Sequence, residues 1–169
     1  MEKISHTLVA CCLLLGSCCN EDFRMPEEQG PDYDFYEGAL DITSLIQNCS
    51  ENAIYTTVGA TPDLDAGECW LNYPTPVANR WFKVKATSTG QIWINVNVDF
   101  GQGTQRRTQV AIWDTDGTTE LSCQRAFDDN DSIYLHASDL TEGEFYYISV
   151  DVADTDSRGT FTICVSDTD

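Results

Sequence analysis

The run Gln91-Ile92-Trp93-Ile94-Asn95-Val96-Asn97-Val98, closed by Asp99-Phe100-Gly101, decides the fold. Apolar residues occupy every second position. That is the period of a strand with one buried face, and a helix cannot gather Ile92, Ile94, Val96 and Val98 on one side. These four point inward, which leaves Trp93, Asn95 and Asn97 outward. The same pattern recurs on both sides of this run. Phe82, Val84 and Ala86 share one side and Trp81, Lys83 and Lys85 the other. Ile133 and Leu135 point in, Tyr134 and His136 out. Ile148, Val150 and Val152 point in, Tyr147 and Asp151 out. Phe161, Ile163 and Val165 point in, which turns Cys164 away from the core. Strand signals cover residues 53–58, 80–86, 91–98, 108–113, 120–125, 132–137, 145–152 and 160–165, separated by Gly, Asp, Asn and Ser turns. Eight strands and no helical period predict an all-β, two-sheet sandwich of jelly-roll type.

Composition narrows the function. The chain has 169 residues, enough for one domain, and its 9 Lys+Arg against 28 Asp+Glu give a net charge of −19. A phosphate backbone or an anionic membrane surface needs a basic face, so nucleic-acid binding and electrostatic membrane docking are disfavoured.

The N-terminus reads as an address. Lys3 precedes an apolar stretch, residues 7–16, too short to span a bilayer and typical of a secretory signal. It ends in Leu15-Gly16-Ser17-Cys18, which resembles a bacterial lipobox. That implies cleavage after residue 17 and lipidation of Cys18, whose acyl chains hold a soluble domain at a membrane. Asn20-Glu21-Asp22 resembles the surface-export signal of lipoproteins in the Bacteroidetes group. The expected location is therefore the outer membrane, facing the cell exterior, with the periplasmic face as the alternative. Residues 18–48 form an acidic tether broken by Pro26, Gly30 and Pro31, and residues 39–47 are apolar enough to strap onto the domain that begins near residue 49.

Export implies an oxidising compartment and disulfides. Cys49, Cys69, Cys123 and Cys164 allow three pairings. First and last strands of a jelly roll often lie side by side, and Cys164 faces outward where the Cys49 segment can cross it. The expected pairs are Cys49–Cys164 and Cys69–Cys123. Cys19 is left over on the tether. No CxxC or HxxxH spacing supports zinc.

Several motifs together resemble a known family. They are Arg80-Trp81-Phe82-Lys83-Val84 with Gly90, Arg106-Arg107-Thr108-Gln109-Val110-Ala111-Ile112-Trp113, and Gly117-Thr118-Thr119-Glu120-Leu121-Ser122-Cys123. Gly143 with Tyr146-Tyr147-Ile148-Ser149-Val150, and Gly159-Thr160-Phe161-Thr162-Ile163-Cys164-Val165, continue the series. The family is the bacterial pre-peptidase C-terminal (PPC) type of domain, in its Bacteroidetes cell-surface variety, and the resemblance spans residues 49–166. It implies a non-catalytic jelly-roll sandwich of the kind appended to secreted proteases and adhesin-like surface proteins, some of which bind calcium or an extracellular polymer. The chain departs from the pattern at Asp116-Gly117, where many relatives have a cysteine, so the family's disulfides do not transfer directly.

No constellation carries catalysis. Beyond the signal the only histidine is His136, on a strand's solvent face, and no GxSxG motif accompanies it. Gly101-Gln102-Gly103 lacks the strand-to-helix context of a phosphate cradle. For calcium, Asp128, Asp129 and Asp131 offer hard oxygen ligands on one loop, against the alternative of a solvated acidic turn. Residues 154–159 half resemble a calcium loop, with Arg158 at a ligand position. Outward aromatics are the other candidates: Trp81, Trp93 and Tyr134 by parity, Trp70 and Tyr73 in a long loop. Such a row stacks on sugar rings or seats a peptide, unless the loop and strap cover it. Arg106-Arg107 is expected to clamp a nearby carboxylate. The expected function is a non-catalytic, surface-tethered binding or adhesion module for a glycan or an extracellular protein, without a required cofactor beyond possible use of calcium. The competing expectation is a structural or assembly subunit of an outer-membrane complex.

Overall fold

The alternating runs become two packed sheets. The computed structural model describes residues 33–168. In chain order the strands are β1 (Leu40–Asp41), β2 (Asn48–Cys49), β3 (Tyr55–Thr56), β4 (Arg80–Lys85) and β5 (Ile92–Asn97). They continue as β6 (Thr108–Trp113), β7 (Glu120–Arg125), β8 (Ile133–Ala137), β9 (Phe145–Val152) and β10 (Thr160–Ser166). One sheet has the order β1-β4-β9-β6-β7 and the other β3-β10-β5-β8. Setting β1 and β2 aside, the remaining eight strands interleave as two Greek keys, the order of a jelly roll. The first and last of them are neighbours, with Thr56 opposite Thr160.

All eight expected strands are present within two residues of their expected ends, except that 53–58 shortens to Tyr55–Thr56. Two short strands are added from the strap. Leu40 and Asp41 pair in parallel with Phe82 and Lys83. β2 lies beside β10, where the Ser50 N–H donates to the Ile163 carbonyl at 2.8 Å.

The inward parities hold. Phe82, Val84, Ile94, Val96, Ile148, Val150, Phe161 and Ile163 are all fully buried between the sheets. Phe82 and Phe161 meet edge to face across this layer, centroids 6.0 Å apart. β6 is buried at every position, which explains why Thr-Gln-Val-Ala-Ile-Trp shows no clean alternation: a strand covered on both faces has no solvent side to mark. That second cover is a third layer, laid over the outer face of the five-stranded sheet.

Candidate functional site

The outer faces of the two sheets differ, and the difference locates the site. On the five-stranded sheet the outward residues are Trp81 on β4, Tyr147, Ser149 and Asp151 on β9, and Gln109, Ala111 and Trp113 on β6. Parity is as the sequence reads it, but exposure is not. Trp81 is 0% exposed and Trp70 4%, so neither belongs to a contact surface. With Trp113, Ala39, Ala66 and Ala111 they form a second apolar cluster, flanked by Tyr36, Tyr147 and the Cys69–Cys123 disulfide.

Two segments supply the cover, and specific bonds latch them. Residues 33–38, expected as part of the acidic tether, instead pack on the domain and extend the strap: Asp34 accepts from Thr61 N–H at 2.9 Å, Thr61 Oγ1 at 2.8 Å and Arg80 Nη1 at 2.9 Å. The Tyr36 ring packs 5.5 Å from Trp81 and 4.5 Å from Tyr147. It fills the space over Gly117, where a Cβ would come within 2.1 Å of it. Burial, then the neighbouring Tyr147, push the Tyr36 phenol up to about 12. In the loop between β3 and β4, the Val77 and Ala78 N–H groups donate to the Asp151 carboxylate at 2.9 and 2.7 Å. Asp151 is therefore outward by parity yet fully buried. Its carboxyl is raised from the ordinary range by desolvation, an effect the two N–H donors oppose. Tyr73, from the same loop, is 55% exposed, and its N–H donates to the carbonyl of the buried Trp70 at 3.4 Å.

The outer face of the four-stranded sheet is covered at its Asn97–Thr162 end, where the Thr162 hydroxyl donates to the Gln102 carbonyl at 2.7 Å, and among the described residues it is only partly covered around Trp93. Trp93 stands opposite His136 across the β5–β8 pair, with Tyr134 opposite Asn95. The imidazole stacks on the indole, centroids 3.9 Å apart and planes 26° apart. Tyr134, 52% exposed, tilts against the same indole at 5.4 Å. His136 Nε2 is held 3.3 Å from Gln91 Oε1.

Beside this row is a cleft of ≈ 260 Å³, lined by Trp93, Asn95, Tyr134 and the Cys49–Cys164 disulfide, with Gln47, Asn48, Val165 and Ser166 completing the wall. The disulfide is thus more than a chain clamp. It fixes the strap's end, β2, as one side of a cleft whose other side is β5. Closing a loop of 115 residues also stabilises the fold by about 4–5 kcal/mol in the chain-entropy model. Trp93 Nε1 and Asn95 Oδ1 are shielded from solvent and have no hydrogen-bond partner among the described residues, so the cleft presents the indole surface and the remaining amide, hydroxyl and phenol groups.

The acidic loop candidates do not converge. Asp131 turns back to accept from the Phe127 and Asp128 N–H groups at 3.2 and 2.9 Å. Asp129 faces Arg106 at 3.7 Å, and the Asp128 carboxylate takes part in neither contact. Among the described residues no group of three or more His, Cys, Asp or Glu is arranged to hold a metal ion. Asp154 is engaged by Arg107 at 2.6 Å and Ser157 Oγ at 2.8 Å. Both arginines thus clamp local carboxylates, as expected of them. Cys18 and Cys19 lie outside the described residues.

Asn95 and His136 become site residues only through strand pairing. Parity marks both as outward, but nothing in the sequence says that β5 and β8 are neighbours. Gln47 and Asn48 enter the cleft only because the disulfide ties their segment to β10. Compared with known proteins, the chain matches no family model and no curated protein.

Proposed function

We propose that this protein is a non-catalytic, lipid-tethered surface module that binds an extracellular glycan on the outer face of its four-stranded sheet. The observation that carries the reading is the uneven cover. The chain buries three of its four tryptophans and leaves the fourth, Trp93, only partly buried, in a row with Tyr134 and His136 beside a cleft. Aromatic faces next to a few placed polar groups are the usual dress of a small-ligand site. The Leu15-Gly16-Ser17-Cys18 signal supports tethering through Cys18, and the acidic residues 21 and 22 support the cell exterior. The resemblance of residues 49–166 to PPC-type domains supports an accessory role over catalysis.

The test is a binding screen of the full chain, extracted in detergent, against immobilised glycans and extracellular matrix proteins. Glycan retention lost on Trp93→Ala and kept on Tyr73→Ala is the expected result. Retention indifferent to Trp93→Ala, or no glycan retention, rejects the reading.

One observation favours an assembly subunit instead. Phe100, 97% exposed, and Phe127, 87% exposed, sit on loops at the same end of the sandwich, linked through the Ser132–Asp99 hydrogen bond of 3.2 Å. Exposed phenylalanines on neighbouring loops suit a protein contact. A stoichiometric partner that co-purifies with the chain and is lost on Phe100→Ser/Phe127→Ser would establish it.

A further inference from the structure

The cleft beside Trp93 differs in charge from the rest of the molecule. The protein carries 28 acidic side chains, yet among the described residues no Asp, Glu, Lys, Arg or His lines this cleft. Its polar groups are amides, one hydroxyl and one phenol. A neutral wall offers no partner for a charged ligand, and a charge placed in it would lose water without compensation. A fixed charge at the rim is Asp167, next in sequence to Ser166. Its carboxylate accepts from Thr87 Oγ1 at 2.7 Å and from the cleft residue Gln47. Those bonds hold its carboxyl below the usual range, so an anion approaching the cleft meets a negative charge as well as the field of the whole protein.

Size and hydrogen bonding restrict the ligand further. The ≈ 260 Å³ volume lies below the roughly 300–1,000 Å³ of sites for drug-sized ligands, which suits one ring better than a chain of them. The lining offers the amides of Gln47, Asn48 and Asn95, the Ser166 hydroxyl and the Tyr134 phenol. Neutral donors and acceptors of this kind match the hydroxyls of an uncharged sugar. His136 covers part of the indole, and the indole surface that lines the cleft provides an apolar platform.

We infer that the cleft between Trp93 and the Cys49–Cys164 disulfide binds a single uncharged pyranose unit of a glycan. Its ring stacks on the Trp93 indole, a ring hydroxyl bonds the Asn95 amide, and uronic or sulfated sugars are excluded. This rests on the glycan-binding reading above and narrows it to a ligand class.

The experiment follows the four indole N–H signals of the ¹⁵N-labelled full chain in detergent, with Trp93 assigned through Trp93→Phe. The probes are methyl glycosides of glucose, galactose, mannose, fucose and the two N-acetylhexosamines, then methyl glucuronide, methyl galacturonide and galactose 6-sulfate, and a lysine-rich peptide. The expected result is a saturable shift of the Trp93 indole with at least one neutral glycoside, weakened roughly five- to tenfold by Asn95→Ala, as fits loss of one neutral hydrogen bond. The acidic sugars and the peptide leave it unmoved. A shift as strong with an acidic sugar or the peptide overturns the inference. So does a neutral-sugar response that Asn95→Ala leaves intact. If no monosaccharide moves the signal while the array still shows Trp93-dependent glycan retention, the single-ring inference falls and the glycan-binding reading stands. If neither experiment shows binding, both fall.

Discussion

The outward face of β4-β9-β6 and the outward face of β10-β5-β8 are built from the same kind of sequence, with aromatics at solvent parity, and they meet opposite fates. Over the first, the strap and the β3–β4 loop close so completely that Trp81 is 0% exposed. Over the second, among the described residues, the segment tied down by Cys49–Cys164 and the loop at Gln102 cover the Asn97–Thr162 end, and the cover stops at a cleft beside Trp93. Parity states which side of a sheet a residue occupies. It does not state whether a third layer covers that side. The tryptophans of the covered face are therefore core residues in all but direction, and Trp93 is left as the one suited to contact.

Substitutions separate the two faces most sharply through stability. Trp81→Ala is expected to cost about 3–5 kcal/mol, the range for emptying a buried aromatic site, or roughly 10–20 °C in Tm for a domain of this size. Trp93→Ala is expected to cost about 1 kcal/mol. Thermal melts of the two variants check this, and equal losses would erase the distinction. A smaller loss probes the latch. Asp151→Ala strands the Val77 and Ala78 N–H groups, at about 2–4 kcal/mol for two buried donors. Its local signature is faster hydrogen exchange in residues 60–79 than in β8.

The alkaline limb sharpens the comparison again. Folding raises the Tyr36 phenol from 10.0 to about 12, so the unfolded chain gives up this proton at a lower pH than the folded one. The strap's contribution is whole below pH 10 and is lost as pH climbs through 12. Tyr36→Phe keeps the ring packing and removes that titration. Its stability is expected to fall less than that of the wild type between pH 10 and 12. Some decline persists, because burial also raises Tyr55. Denaturant titrations at several alkaline pH values read the difference. The smallest expected effect is that of chelation: with Asp131 and Asp129 committed to backbone and Arg106, excess EDTA is expected to leave Tm unchanged, and a clear fall would show that the β7–β8 loop is held by calcium.

The sandwich was legible because period-2 runs such as 91–98 leave no other reading, and the outward cysteine on β10 pointed to its partner. The third layer was not. Residues 33–39 and 60–79 have no period, and they are held by Asp34, Asp63 and Asp151 bonding to backbone and side chains far away in sequence. Acidic residues on a tether and in loops look like solvated charge until their distant N–H donors are known. Asp151 is the clearest case: an outward carboxylate on β9 reads as surface, and only the folded loop shows that it is the anchor. Asn95 and His136 were visible as outward residues, but their meeting around Trp93 depends on which strands pair.

Hydroxyl-radical footprinting of the folded chain, read residue by residue by mass spectrometry, tests the central claim most directly. Oxidation is expected at Tyr134 and Trp93, with Trp70, Trp81 and Trp113 protected until the chain is denatured. Labelling of Trp81 and Trp113 at the rate of Tyr134 would mean that the strap and loop do not close over the five-stranded sheet, and the assignment of the binding face to the other sheet would be contradicted.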